Sequence, residues 1–196
     1  MNKQEFIERV YEASKEGYRE YGILPSLVIA QAILESAWGE KHIANNIFGI
    51  KAGNPWNGKF VVRKTLEWDG KKYVTKEEKF RAYDTMEDSI KDYLKLIGTA
   101  KRYEKVRKAK DYKEACKLIY EAGYATDPKY SDKLMNIIES NKLYQYDKVA
   151  DSVSDWAIEA WNWAKENKIT DGNRPKAYAT REEVITMLYR LLNIKK

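Results

Sequence analysis

Over residues 3–21 the apolar positions fall at Phe6, Val10, Ala13 and Tyr21, an interrupted stripe at helical spacing that predicts one amphipathic helix broken by Gly22. The next apolar stretch has a different character. Leu27, Val28, Ile29, Ala30, Ala32, Ile33 and Leu34 leave almost no polar side, so the segment from Ser26 to about Trp38 reads as a central helix buried all round. Pro25 suits its first turn and Gly39 its C-terminal stop. From 43 to 58 the periodicity is lost among turn formers: Asn45-Asn46, Gly49, Gly53-Asn54-Pro55 and Asn57-Gly58. Phe60 to Trp68 is rich in β-formers, Asp69-Gly70 suits a two-residue type I′ turn, and Lys71 to Thr75 predicts the returning strand of a hairpin.

Helical spacing then resumes. Thr85-Met86-Glu87-Asp88 reads as a capping box ahead of Ile90, Leu94 and Ile97. A further helix runs from Asp111 to Ala122 and stops at Gly123, and Asp127-Pro128 opens another to about Asn141. After Tyr146-Asp147 the composition shifts. Trp156, Trp161 and Trp163 fall in a helix from Asp155 to Lys165, residues 170–175 form a loop, and Thr180 caps a last helix with Val184, Met187, Leu188 and Leu191 expected inward. The expected fold class is mainly α (α+β): a helical lobe with an inserted β-hairpin over residues 1–147, then a small helix–loop–helix module over 151–196. That module is too short to hold much core of its own.

Composition narrows the chemistry. One cysteine, Cys116, excludes an intramolecular disulfide, and with a single histidine, His42, it excludes the usual zinc sets. No metal or organic cofactor is expected. A histidine-activated nucleophile would have to recruit His42 from the charged segment Gly39-Glu40-Lys41-His42. The net charge of +6 suits an anionic partner, but the signs interleave along the chain instead of clustering, which argues against a nucleic-acid surface. No apolar run approaches 18 residues, so no membrane span is expected. Tyrosine and tryptophan are plentiful, 15 and 6 against 4 phenylalanines, and their flat faces with polar handles suit sugar stacking as well as a core.

Two carboxylates stand out. Gln31 and Glu35, four apart, share one face of the buried helix. In its last turn Glu35 is discouraged from ionising both by burial and by the negative end of the helix dipole, which suits a general acid; escape to solvent or pairing with a lysine is the plainer alternative. Glycoside hydrolysis ordinarily needs a second carboxylate. Glu67 is the natural candidate, although a two-residue turn would set it opposite Lys72, beside Thr65 and Arg63, as an ordinary cross-strand ion pair.

Several blocks, read in order, carry a resemblance. Ile23-Leu24-Pro25-Ser26, Ala30-Gln31-Ala32-Ile33-Leu34-Glu35-Ser36-Ala37-Trp38-Gly39, Asn45-Asn46-Ile47-Phe48-Gly49-Ile50-Lys51, Phe80-Arg81-Ala82-Tyr83 and Gly123-Tyr124-Ala125-Thr126-Asp127-Pro128-Lys129-Tyr130 resemble glycoside hydrolase family 73 over roughly residues 4–147. The resemblance implies a lysozyme-like fold and cleavage of the β-1,4 bond on the reducing side of N-acetylglucosamine in peptidoglycan. It makes Glu35 the general acid, Glu67 the second carboxylate with Asp69, Glu77 and Glu78 as rivals, and Tyr124 a neighbour of the catalytic centre. Asn46, Phe48, Tyr83, Thr126 and Tyr130 would line the cleft. Inversion through a water held by Glu67 and attack by the substrate's own 2-acetamido group, steadied by Tyr124 or Glu67, both stay open.

The tail, Asp155-Trp156-Ala157, Ala160-Trp161, Ile169-Thr170-Asp171-Gly172, Pro175 and Thr180-Arg181-Glu182-Glu183 through Leu191, resembles one S-layer homology repeat. That implies secondary cell-wall polymers as partners of residues 151–196. The resemblances place the point of action outside the cell or in the wall. Met1 to Phe6 lacks the apolar stretch of a signal peptide, so the expectation is a signal already removed, or synthesis in the cytoplasm and release through a holin.

Overall fold

A computed structural model describes residues 1–193 apart from 54, 69–71 and 174, with the backbone alone at 66–68, 73 and 149–151. Helix α1 (Lys3–Tyr21) starts from a capping box in which the Asn2 side chain accepts from Glu5 N and Glu5 answers to Asn2 N. Its inner face, Phe6, Ile7, Val10, Tyr11 and Tyr18, follows the expected stripe, and Gly22 ends it at φ +79°. Helix α2 (Pro25–Ser36) is buried along nearly its whole length, with Leu27, Val28, Ile29, Ala30 and Ala32 at 0% exposure. Burying each of the larger of these side chains contributes about 1.5–3 kcal/mol, so α2 anchors the lobe.

Helix α2 carries no N-terminal cap of its own. The Asp147 carboxylate supplies one from the far end of the lobe, accepting from Ser26 N at 2.8 Å and from the Ser26 hydroxyl at 2.6 Å. The helix dipole favours a negative charge there, yet burial wins and pushes the Asp147 carboxyl up to about 6. A carboxyl whose folded pKa lies above its unfolded value contributes stability at low pH and loses it as pH rises through the folded pKa. The Asp147→Asn variant keeps an acceptor for Ser26 but cannot ionise. Its melting temperature relative to the wild type should therefore climb between about pH 4 and pH 7. A difference that stays flat across that range in thermal melts would refute the assignment.

Strands β1 (Phe60–Trp68) and β2 (Tyr73–Arg81) form an antiparallel hairpin in which Phe60 pairs with Arg81 and Trp68 with Tyr73. The returning strand is longer than the sequence pattern indicated. The register sets Glu67 opposite Val74, not Lys72, because four residues join the strands instead of two. Asp69 and Gly70, the expected turn pair, lie outside the described residues.

Helix α3 (Met86–Thr99) has the expected capping box, Thr85 with Asp88, and buries Ile90, Tyr93, Leu94 and Ile97. It crosses α1 closely: a Cβ on Gly17 would stand 2.4 Å from Leu94 Cδ2. Two 3₁₀ turns lead to α4 (Tyr112–Glu121), capped by Asp111, and then come α5 (Tyr130–Ser140) and α6 (Tyr144–Asp151). The lobe is the expected mainly α class, a lysozyme-like fold with an inserted hairpin.

The tail holds α7 (Ile158–Glu166) and α8 (Arg181–Asn193). Val184, Leu188 and Leu191, expected inward, are exposed at 44%, 52% and 41%, since the unit has too little mass to cover them. No helix among the described residues is long and apolar enough to cross a membrane.

Candidate active site

The local chain around Glu35 explains why its neighbours are what they are. The sequence pattern carried α2 to about Trp38, but the helix stops at Ser36, and Ala37, Trp38 and Gly39 all adopt left-handed backbone with φ of 47°, 66° and 79°. Such a run is costly for residues with a Cβ, and it is held by local bonds. The Ser36 hydroxyl donates to Ala32 O at 2.6 Å and accepts from Gly39 N at 2.8 Å, while Lys41 N returns to Ser36 O at 2.8 Å. Trp38 turns back onto Phe6, edge to face at 6.4 Å, with Lys3 over its other face. The Glu-Ser-Ala-Trp-Gly block is thus a helix terminator, and it leaves Glu35 in the last full turn.

Glu35 keeps one side open to solvent while protein closes round the rest of its carboxyl. This crowding raises its pKa above the ordinary carboxylate value, outweighing a hydrogen bond from the Tyr130 hydroxyl to Oε1 at 2.9 Å and the charge of Lys133. The other oxygen, Oε2, lies toward Gly49, where an added Cβ would be 3.9 Å away. Gly49 has φ +61°, so glycine both relieves the backbone and keeps that approach clear.

Behind the carboxyl stands a hydrogen-bonded row. Gln31 Nε2 donates to the Tyr130 hydroxyl oxygen at 2.9 Å, and the Tyr93 hydroxyl donates to Gln31 Oε1. Tyr124 stacks on Tyr130 at 6.0 Å and donates its hydroxyl to Phe48 O at 3.1 Å. Burial and the nearby Glu35 hold the hydroxyls of Tyr124 and Tyr130 well above the usual tyrosine value, so both remain neutral hydrogen-bonding groups.

The structure therefore brings Glu35, Tyr124 and Tyr130 together, Tyr130 itself at 3% exposure, and gives other expected residues structural contacts. Asn46 is 2% exposed, and its amide is spent inside the fold: Nδ2 donates to Ile50 O and Arg81 O, and Oδ1 accepts from Ile50 N. It clasps the 46–50 loop to the foot of β2 and offers a ligand nothing. Phe48 is 2% exposed and stacks on Tyr93 at 4.0 Å, a core residue beneath the site. Tyr83 donates to Asp92 Oδ2 at 2.6 Å beside the Arg81–Asp92 ion pair, with Arg81 lying over Trp56. That cluster braces the base of the hairpin. Thr126 is exposed.

The Glu67 side chain lies outside the described residues, as does Asp69; Glu67 holds a backbone position on β1. Of the other rivals, Glu77 pairs in register with Lys64 on the face that carries exposed Val62, and Glu78 pairs with Lys51 at 3.4 Å. The sequence reading did not single out Tyr93. It sits among Ile90, Leu94 and Ile97, where a tyrosine is indistinguishable from packing.

A pocket of about 1240 Å³ lies away from Glu35, lined among others by Tyr21, Tyr112, Tyr144, Arg107, Lys110 and Asn173. Asp147 also lines it, but that carboxyl, although raised by burial, is taken up by Ser26, so size is not the guide to chemistry. Among the described residues no three histidine, cysteine or acidic side chains gather as a metal site would require.

Known proteins share both sequence and fold with this chain. Residues 11–143 match the glucosaminidase family model, described as mannosyl-glycoprotein endo-beta-N-acetylglucosaminidase. Exo-glucosaminidase LytG of Bacillus subtilis is 42% identical over 159 residues, which cover 77% of this chain and 56% of LytG. Peptidoglycan hydrolase FlgJ of Vibrio parahaemolyticus is 34% identical over 141 residues, 68% of this chain and 46% of FlgJ. The chain thus spans about half the length of these curated relatives. A crystal structure of a peptidoglycan hydrolase mutant from Sphingomonas sp. A1 superposes with a TM-score of 0.66 at 36% identity, covering 73% of this chain and 97% of that one. With a matching family model, a relative sharing two residues in five and a common fold, the chain belongs to the glucosaminidase family.

Proposed function

We propose that this chain is a peptidoglycan hydrolase that cuts the β-1,4 bond on the reducing side of N-acetylglucosamine, with Glu35 as general acid. The carrying observation is the Glu35 carboxyl itself: it stands in the last turn of the buried helix, is open to solvent on one side, and has its pKa raised by the protein around it. An acid with a raised pKa stays protonated closer to neutrality and can hand its proton to the departing glycosidic oxygen. Glu67 is the proposed second carboxylate, supported by its place on the hairpin, and Tyr124 is the proposed neighbour of the reacting carbon. The relatives' names, a glucosaminidase and a peptidoglycan hydrolase, support the substrate class.

The pH dependence follows with a definite sign. Lysis should fall as pH rises through the Glu35 pKa, because the acid then loses its proton. A turbidity assay on purified walls across pH 4–9 would show this limb, and lysis that kept rising over that whole range would contradict the role. Glu67→Gln should cost about 10²-fold or more in kcat if that residue activates water, and much less if another hairpin residue does.

Product chemistry tests the bond. Digested walls should carry new reducing ends of N-acetylglucosamine, readable by mass spectrometry after borohydride reduction. Reducing N-acetylmuramic acid would make the chain a muramidase, and anhydro-muramic ends a lytic transglycosylase.

For residues 151–196 we propose a wall-polymer-binding role. Support comes from the S-layer-like motif and from exposed Trp156 and Trp163, at 89% and 47%, which offer flat faces to sugars. Action in the wall, with release from the cytoplasm by another protein's pore, completes the proposal.

A further inference from the structure

The row behind Glu35 has a direction, and the direction is set at its far end. Tyr93 is at 0% exposure, and among the described residues its hydroxyl meets one hydrogen-bonding partner, Gln31. If the row ran the other way, Gln31 would donate to Tyr93, and the Tyr93 proton would be buried with nothing to accept it. Tyr93 must therefore donate, which turns Gln31 Oε1 toward it and Nε2 toward Tyr130. The Tyr130 oxygen, accepting from Nε2, directs its own proton to Glu35 Oε1.

We infer that Tyr93, Gln31 and Tyr130 are positioning residues that fix Glu35 Oε1 as an acceptor in both charge states and so confine the transferable proton to Oε2. Oε2 is the oxygen on the Gly49 side, so the row decides which of two chemically equal oxygens faces the leaving group with its proton. The inference rests on the reading of Glu35 as the acid. It explains why a glutamine sits at 0% exposure on the most apolar helix of the lobe: its amide accepts at one end and donates at the other, and so can bridge two tyrosine hydroxyls. It also accounts for Tyr93, whose ring would otherwise serve as well as phenylalanine.

The test is a set of hydroxyl and amide deletions on the full chain. Tyr93→Phe frees the Gln31 amide to turn, so that Tyr130 can point its proton away from Glu35; Tyr130→Phe removes the donor outright; Gln31→Glu accepts from both tyrosines and draws the Tyr130 proton off. In all three the Glu35 carboxylate loses a donor and its pKa rises. The alkaline limb of kcat should shift to higher pH, kcat should drop about tenfold for Tyr130→Phe and less for Tyr93→Phe, and KM should hold. Tyr103→Phe is the control: it removes a buried hydroxyl that has no hydrogen-bond partner among the described residues, and it should leave the pH profile in place.

A second readout needs no turnover. With 13C-labelled glutamate, the carboxyl resonance that vanishes in Glu35→Gln reports the Glu35 titration directly, and it should move up in Tyr93→Phe. Melting curves check that each variant is folded. Should Glu35→Gln still lyse walls, the acid assignment itself is lost. Should Glu35→Gln be dead while folded Tyr93→Phe and Tyr130→Phe leave both titration and kcat limb where they were, the acid stands and the positioning row is overturned.

Discussion

Replacing Glu35 with glutamine is expected to lower wall lysis by about 10²–10⁴-fold in kcat while leaving the fold intact. Glutamine keeps the shape and keeps an oxygen that can accept from Tyr130, whose hydroxyl donates to Oε1 in the native protein at 2.9 Å. What it lacks is a proton that can leave. The native carboxyl is held above its ordinary pKa by its surroundings, so an uncharged amide should fit the same site without loss, and the melting temperature should hold or rise slightly near neutral pH. Zymography on wall-impregnated gels, with thermal melts on the same preparations, separates the two effects. Activity within threefold of the wild type would remove Glu35 from the chemistry. Loss of lysis accompanied by a collapsed melt would leave the role unproven and call for Glu35→Asp as the next comparison.

The second large effect is on stability. Gly39→Ala should cost about 2–4 kcal/mol and lower the melting temperature by about 5–15 °C. Two independent penalties combine. Gly39 sits at φ +79°, where a Cβ alone costs about 1 kcal/mol. The new methyl would also lie 2.8 Å from Phe6 Cε2, on a ring at 0% exposure that cannot swing into solvent. Relief would have to come from shifting Phe6, and with it Trp38, which follows the end of α2 three residues from the proposed acid. Lysis should therefore fall further than stability alone explains when assayed well below the melting temperature. A melt lowered by less than about 2 °C would mean that the left-handed run is not the constraint described.

How much of this could be read from the sequence depended on whether local pattern or tertiary contact decided each feature. Helix α1 follows its stripe and the start of α3 its capping box, because Thr85 and Asp88 act within one turn. The end of α2 does not, since nothing in Ala37 or Trp38 announces positive φ; the Ser36 hydroxyl and the Phe6–Trp38 contact impose it. Glu35, Tyr124 and Tyr130 were singled out by their motifs, and the structure sets them side by side. Asn46 and Phe48 belong to equally distinctive motifs but are buried in the lobe, because a turn that shapes a site constrains its residues as tightly as the site does. Gln31 was visible as the other polar position on the face of Glu35, whereas Tyr93 was hidden: a buried hydroxyl on an apolar stripe gains its meaning from a partner 62 residues away.

The hairpin carries a last consequence. The backbone hydrogen bonds that join it to the 46–52 loop gather at its foot, Ala52 to Lys79 and Arg81 to Ile50. From there β1 runs outward like a cantilever, and at about 3.3 Å per residue the position of Glu67 is roughly 23 Å from Phe60. Each 2–3° of tilt at the anchor thus sweeps that position through about 1 Å. The gap between the two proposed carboxyls is an angular quantity, written in the few bonds near Asn46 and Arg81.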